Sequence, residues 1–309
     1  MKRFFKTLLI FIIPLAVVTL VFEIYLRTMN TEYKQKITGL SANYNTIEIL
    51  ALGNSHAYNG VDPRQFDLEA YNMAAGNQSL YFDKRITLKH IDSLKNLKYV
   101  LISFDQHSLY FSSQGIRDTW LYYDYDIKYK DKTEFWNDIS HFWLGYTPRI
   151  AVSIVKDKLL EQFKDTRSHS EEVIKGFMPH YGSVANSFTP AGIKKKANYF
   201  NREVQNSIER EENLADLDDF ITQLKKKDIT PILFTLPMYT DIYPHLIKEY
   251  VNQNKKDAQY LTEKHNIQHW DFSDGGEDKS LFYNNDHLNQ KGAEFFSKKM
   301  NMQLKKLLQ

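Results

Sequence analysis

Apolar side chains run almost without a break from Leu8 to Phe22, interrupted only by Pro14 and Thr19, before the chain turns polar at Glu23-Ile24-Tyr25-Leu26-Arg27. A helix of this stretch, at ~1.5 Å per residue, reaches most of the way across a hydrocarbon core of ~30 Å. It shows no polar face, which a core helix of a soluble protein would need. Lys2, Arg3 and Lys6 precede it, so the positive-inside rule predicts a cytoplasmic N-terminus and a cell-membrane anchor with the domain that follows outside. No small-x-small cleavage site follows the run, so residues 1–27 are expected to stay as a signal-anchor, with the polar residues 28–45 as a stalk.

From residue 46 the pattern changes to short apolar runs closed by turn residues. Thr46–Leu52 ends at Gly53, Ala70–Ala74 ends before Gly76, and Tyr99–Phe104 ends at Asp105. Each reads as a buried parallel strand. Between the second and third, Leu80, Phe82, Ile86, Leu88, Ile91 and Leu94 recur at helical spacing. The alternation lapses from about 108 to 200, where an aromatic stretch (Trp120–Asp126) and a predicted helix (Pro148–Phe163) suggest an insertion that caps or flanks a site. It then resumes with a helix over 209–226, a strand over 230–237, a helix over 258–264, a strand over 267–272 and a closing helix over 291–308. Residues 46–309 are therefore expected to form one α/β domain around a parallel sheet. Ligands of such sheets bind beyond the carboxyl ends of the strands, where Ser55, Gly76 and Asp105 would share a rim.

Composition narrows the chemistry. The chain has no cysteine, which excludes disulfides, thiolate nucleophiles and Cys-ligated metals. A net charge of +2, with Lys194-Lys195-Lys196 and Lys225-Lys226-Lys227 read as solvated helix faces, argues against nucleic acid. The ten histidines are dispersed, without the paired helical spacing of a zinc site, so no metal and no cofactor is expected.

Ser55, on the turn after the first strand, and His287, before the last helix, suit a nucleophile and its base. A serine hydroxyl needs a neighbouring base to become nucleophilic, and the base a third group to fix its tautomer. The alternatives are a helix cap for Ser55 and a surface histidine. Gly53-Asn54-Ser55-His56, then Asn72 with Gly76-Asn77-Gln78-Ser79-Leu80, and His287-Leu288-Asn289-Gln290-Lys291-Gly292-Ala293 resemble the first, second and last blocks of the SGNH/GDSL hydrolase superfamily. The resemblance covers most of 46–106 and 228–309, and implies a three-layer, flavodoxin-like parallel-sheet fold and Ser-His acyl chemistry. It departs at Asn284, where the family pattern has Asp, leaving Asp286 or Asn284 to orient His287. It also departs at Asp105, where the third block has an Asn oxyanion donor; the hole would rest on the N–H groups of Ser55 and Gly76, with Gln106 as a further donor. His56 is expected to pack or hydrogen-bond rather than act as a second base. The anchored form is similar to envelope acylation proteins of the alginate acetylation and teichoic acid D-alanylation type. That likeness implies a glycan or wall-polymer substrate, with a membrane-bound O-acyltransferase as partner. A catalytically weak or inactive subunit of the same fold, binding glycan or assembling with a membrane-bound O-acyltransferase, is the alternative.

Overall fold

The computed structural model describes residues 2–112, 117–128 and 173–309, together with 152, 155 and 156. The chain divides into two compact units, residues 1–37 with 115–171, and 38–114 with 172–309.

In the smaller unit, α1 (Lys2–Thr28) is long and apolar enough to cross a membrane. Its apolar side chains, from Phe4 to Tyr25, are largely exposed. The Arg27–Glu23 pair, 2.7 Å apart one turn from each other, marks its polar end. The polar stretch expected as a stalk carries a helix, α2 (Glu32–Ala42), because Tyr33, Lys36 and Leu40 recur on one buried side. Tyr33 stacks on Trp120 at 5.7 Å. The predicted helix at 148–163 lies outside the described residues except for positions 152, 155 and 156, which are helical.

The larger unit is a five-stranded, all-parallel sheet of order β2-β1-β3-β4-β5, the flavodoxin-like arrangement. Its strands are β1 (Ile49–Leu52), β2 (Ala70–Asn72), β3 (Tyr99–Ser103), β4 (Thr230–Thr235) and β5 (Gln268–Asp271). The register pairs Ala51 with Leu101 and Leu101 with Ile232, so alternate residues stack on one face. There they meet Ala57 and Tyr58 of α3 (Ser55–Gly60) and Phe296, Met300 and Leu304 of the closing helix (Gln290–Leu307). The opposite face carries Leu50, Val100, Ile102 and Leu233, all fully buried. It is covered by α4 (Leu80–His90) and by the helices Arg210–Lys225 and Lys248–His265. Each layer is apolar where it meets the sheet, as the two-faced burial of a parallel sheet requires.

The stretch expected as an insertion, about 108–200, is divided between the two units. Residues 172–206 belong to the larger unit, because α6 (Pro190–Asn206; α5 is Arg117–Tyr125) packs Ile193, Ala197 and Phe200 against Met238, Ile242 and Leu246. In the same numbering, the remaining helices are α7 (Arg210–Lys225), α8 (Lys248–His265) and α9 (Gln290–Leu307).

Candidate active site

The turn after β1 is built around Gly53, whose φ of +134° is open to glycine and strained for other residues. A Cβ there would also lie 2.3 Å from Ser103 Cβ. Asn54, rather than Ser55, caps α3: its Oδ1 accepts the His56 N–H at 2.8 Å, while its Nδ2 donates to Asp105 Oδ2 at 2.8 Å. With the cap filled by its neighbour, Ser55 stands as first residue of the helix with its hydroxyl free for other chemistry. Asn72 braces the turn from below, donating to the carbonyls of Ala57 and Val61 at 3.0 and 2.8 Å.

His287 comes from the opposite end of the larger unit. Its loop is closed by a bridge between Phe282 and Leu288 and by Asn289, which caps α9 through the Gly292 N–H. The ring's Nε2 lies 2.8 Å from Ser55 Oγ, hydrogen-bond reach for proton transfer.

Both candidates for orienting His287 lie beside its Nδ1. Asn284 Oδ1 accepts the backbone N–H groups of Asp286 and His287 at 3.0 and 2.8 Å, which settles the orientation of its amide. Its Oδ1 and Nδ2 are then both 3.1 Å from Nδ1. Asp286 Oδ1 lies 3.3 Å from Nδ1 without hydrogen-bond geometry, and Asp286 Oδ2 lies 2.8 Å from Lys196 Nζ.

Charge at the site is balanced. Burial alone would lower the basicity of His56, but Asp105 Oδ1, 3.2 Å from its Nδ1, and Asp286 Oδ2, 4.0 Å from its Nε2, outweigh that and raise it to about 9. His56 is therefore an imidazolium at neutral pH, its charge carried between the two carboxylates. Burial opposes ionisation of Asp105 too, yet His56 and Ser103 hold it down to about 2. Asp286 is held well below the carboxylate range against its own burial, by His287, His56 and Lys196. His107 and His180 are pushed by burial down to about 4 and stay neutral. Two anions thus face two cations in a buried cluster, the condition under which buried charge is tolerated. His56, Asp286 and His287 could bring their donor atoms together around a metal ion, within 4.8 Å of one another. Here His287 Nε2 faces a hydroxyl, Asp286 faces an ammonium and His56 carries charge, so the set suits proton transfer better than cation binding.

The oxyanion candidates separate. The Ala75 N–H bonds the Gly53 carbonyl at 3.1 Å, which runs the Gly76 turn alongside the Ser55 turn. Among the described residues neither the Ser55 nor the Gly76 N–H has a protein acceptor. Gln106 goes elsewhere: it lines a crevice with Phe200, Met238 and Leu246. Asp105 takes up its carboxylate with Asn54, Ser103 and His56, consistent with a buried acceptor and not with an oxyanion donor.

Sequence reasoning missed Lys196, His107, His180 and Asp83. Lys196 falls four residues before Phe200, beside the apolar face of α6, a signal that was available in the helical spacing. His180 stacks on Tyr283 at 4.2 Å and flanks His287 at 6.2 Å between ring centroids. Asp83 Oδ1 accepts the Gly53 N–H at 3.1 Å, and burial pushes its carboxyl up to about 8. Nothing in spacing marked His107, His180 or Asp83.

The larger unit and its contents define a doubly covered parallel-sheet α/β protein with a Ser-His pair at the carboxyl rim of the sheet. No family model matches the chain, and no curated protein does. Among solved structures it is similar to a protein described as an acylhydrolase from Bacteroides fragilis, at 10% identity over 91% of this chain and 100% of that one, with a TM-score of 0.46. It is also similar to a GDSL-like lipase from Bacteroides thetaiotaomicron, at 9% identity over 89% and 98% of the two chains, with a TM-score of 0.41. A third is an acetyl xylan esterase, at 14% identity over 84% and 100%, with a TM-score of 0.39. Likeness at that level carries nothing about the chemistry, which rests on the atoms of the site.

Proposed function

We propose that the protein is a membrane-anchored, extracytoplasmic serine acyltransferase or esterase of the SGNH type, acting on hydroxyl esters of an envelope glycan or exopolysaccharide. The observation that carries this reading is the 2.8 Å contact between Ser55 Oγ and His287 Nε2. Ser55 Oγ attacks the acyl carbonyl carbon of a donor ester as its proton passes to His287 Nε2. The N–H groups of Ser55 and Gly76 receive the oxyanion. Collapse breaks the ester bond, the departing alkoxide takes the proton from Nε2, and the acyl group remains on Ser55. A hydroxyl of the acceptor then gives its proton to Nε2 and attacks the acyl-serine carbonyl; collapse breaks the bond to Ser55 Oγ, which takes the proton back from Nε2 as the new ester leaves. Water in the acceptor's place makes the same site an esterase.

Anchoring supports transfer, because a tether at the bilayer raises the effective concentration of the site near a membrane-delivered donor and a nascent polymer. The resemblance adds a membrane-bound O-acyltransferase as the partner that brings the acyl group. Acetyl content of surface polysaccharide in cells carrying Ser55→Ala, compared with wild type at matched protein level, tests the reading. A fall is expected, and fluorophosphonate labelling of Ser55 should vanish in His287→Ala. The amide at position 284 favours a second reading, an inactive glycan-binding or assembly subunit; equal acetylation in Ser55→Ala cells together with no labelling would select it.

A further inference from the structure

Asn284 leaves the protonation of His287 undecided. Its Oδ1 can accept a hydrogen bond from a protonated Nδ1 and its Nδ2 can donate one to a bare Nδ1, each at 3.1 Å. A base that receives a proton from Ser55 must carry its own hydrogen on Nδ1, so something else has to favour that tautomer. The ionised Asp286, 3.3 Å from Nδ1, does so electrostatically. An aspartate at that position is not self-orienting, because its carboxylate also faces His56 at 4.0 Å. The shorter contact is the Lys196 ammonium on Oδ2, at 2.8 Å. Lys196 is held in turn by its place on α6, whose Phe200 packs edge-on to His56 at 6.3 Å and whose ammonium lies 5.5 Å over the Phe200 ring.

We propose that Lys196 is a positioning residue of this site: by fixing one oxygen of Asp286 it turns the other to His287 Nδ1, and so replaces the acid absent at position 284. The inference rests on the Ser-His acyl-transfer reading. The charged and titratable groups facing His287 are Asp286 on its own loop, Lys196 on α6, His56 on α3 with Asp105 behind it, and His180 from the loop before α6. Loss of Lys196 frees the nearest carboxylate, so the imidazolium loses its closest partner.

The test uses the full-length chain in detergent, with p-nitrophenyl acetate as acyl donor, in wild type, Lys196→Met and Lys196→Arg. For Lys196→Met, kcat is expected to fall about 10- to 100-fold, as when a supporting partner of a site ligand is removed, with KM within about twofold. The acidic limb of the pH profile should move down by about one pH unit, since an opposite charge at this range is worth roughly one to three. Lys196→Arg should restore both. Independently of turnover, ¹⁵N resonances of His287, assigned with His287→Gln, should report hydrogen on Nδ1 in wild type and a mixture of tautomers in Lys196→Met. An unchanged limb and an unchanged tautomer would overturn the inference. An upward shift of the limb would overturn it too, because it would make Lys196 a neighbouring charge only. If wild type shows no Ser55-dependent turnover while the tautomer still responds to Lys196, the acyl-transfer reading fails and the positioning role stands.

Discussion

Replacing Asp286 by Asn removes the one carboxylate among the described residues within reach of His287 Nδ1 and leaves the shape of the site intact. When His287 takes the proton from Ser55 it becomes an imidazolium 3.3 Å from Asp286 Oδ1, and two unit charges at that distance attract by about 5 kcal/mol at an effective dielectric of about 20. Asp286 is 3% exposed and His287 16% at the side chain, so solvent screens the pair only partly. Lys196 on the far oxygen cancels some of the field, which leaves about 3–5 kcal/mol, or about 10²–10⁴ in kcat/KM at ~1.36 kcal/mol per decade. The assay is hydrolysis of p-nitrophenyl acetate by the full chain in detergent, normalised to the folded fraction by circular dichroism. A fall under fivefold with the fold intact would refute the assignment of Asp286 to the relay. Asn284→Asp is the control. It sets a second carboxylate beside Asp286, where like-charge repulsion keeps one of them protonated, so a change under tenfold is expected. A gain of about a thousandfold would show instead that the site lacked its acid.

Ser55→Ala should abolish fluorophosphonate labelling and esterase turnover with melting temperature within a few degrees of wild type, read by gel fluorescence and thermal unfolding. His56 is raised to about 9 by Asp105 and Asp286 against its burial, so the folded chain binds its proton more tightly than the unfolded one. The stability it contributes is fully present below about pH 6.5 and is lost as pH rises through about 9; the gap in melting temperature between wild type and His56→Gln should therefore narrow between those values, and a constant gap would refute it. Gly53→Ala places a Cβ 2.3 Å from Ser103 Cβ at a φ of +134° and should cost about 2–4 kcal/mol, the upper range for overpacking combined with backbone strain, measured as a lowered denaturant midpoint.

The parallel sheet was legible because its strands are buried on both faces and read as short apolar runs, and the closing helix because its apolar positions keep strict helical spacing. Boundaries shifted where tertiary contacts decide them. The strand expected from Thr46 begins at Ile49, since 46–48 lie in the turn and lead-in to the sheet. The helix expected over 258–264 starts at Lys248, because its first turns carry polar residues, such as Asn254, whose side chain is buried against the Asp105 carbonyl at 3.0 Å. Ser55 and His287 were legible from residue type and flanking motif.

Lys196 was not, and the reason is physical. In a run of three lysines the composition looks solvated, yet on a helix each successive residue points about 100° further round the axis. Lys194 and Lys195 share a side with Asn198 and Arg202, whereas Lys196 borders the side on which Ile193, Ala197 and Phe200 are buried. A lysine at the edge of an apolar stripe has its stem packed and its ammonium delivered to the rim of whatever that stripe covers. Here the stripe covers the end of the sheet that holds His56, and the loop carrying Asp286 reaches the same rim from the other end of the unit. The amide at 284 and the lysine at 196 belong to one arrangement, in which the carboxylate beside His287 Nδ1 comes from Asp286 and is held on its other oxygen by the Lys196 ammonium.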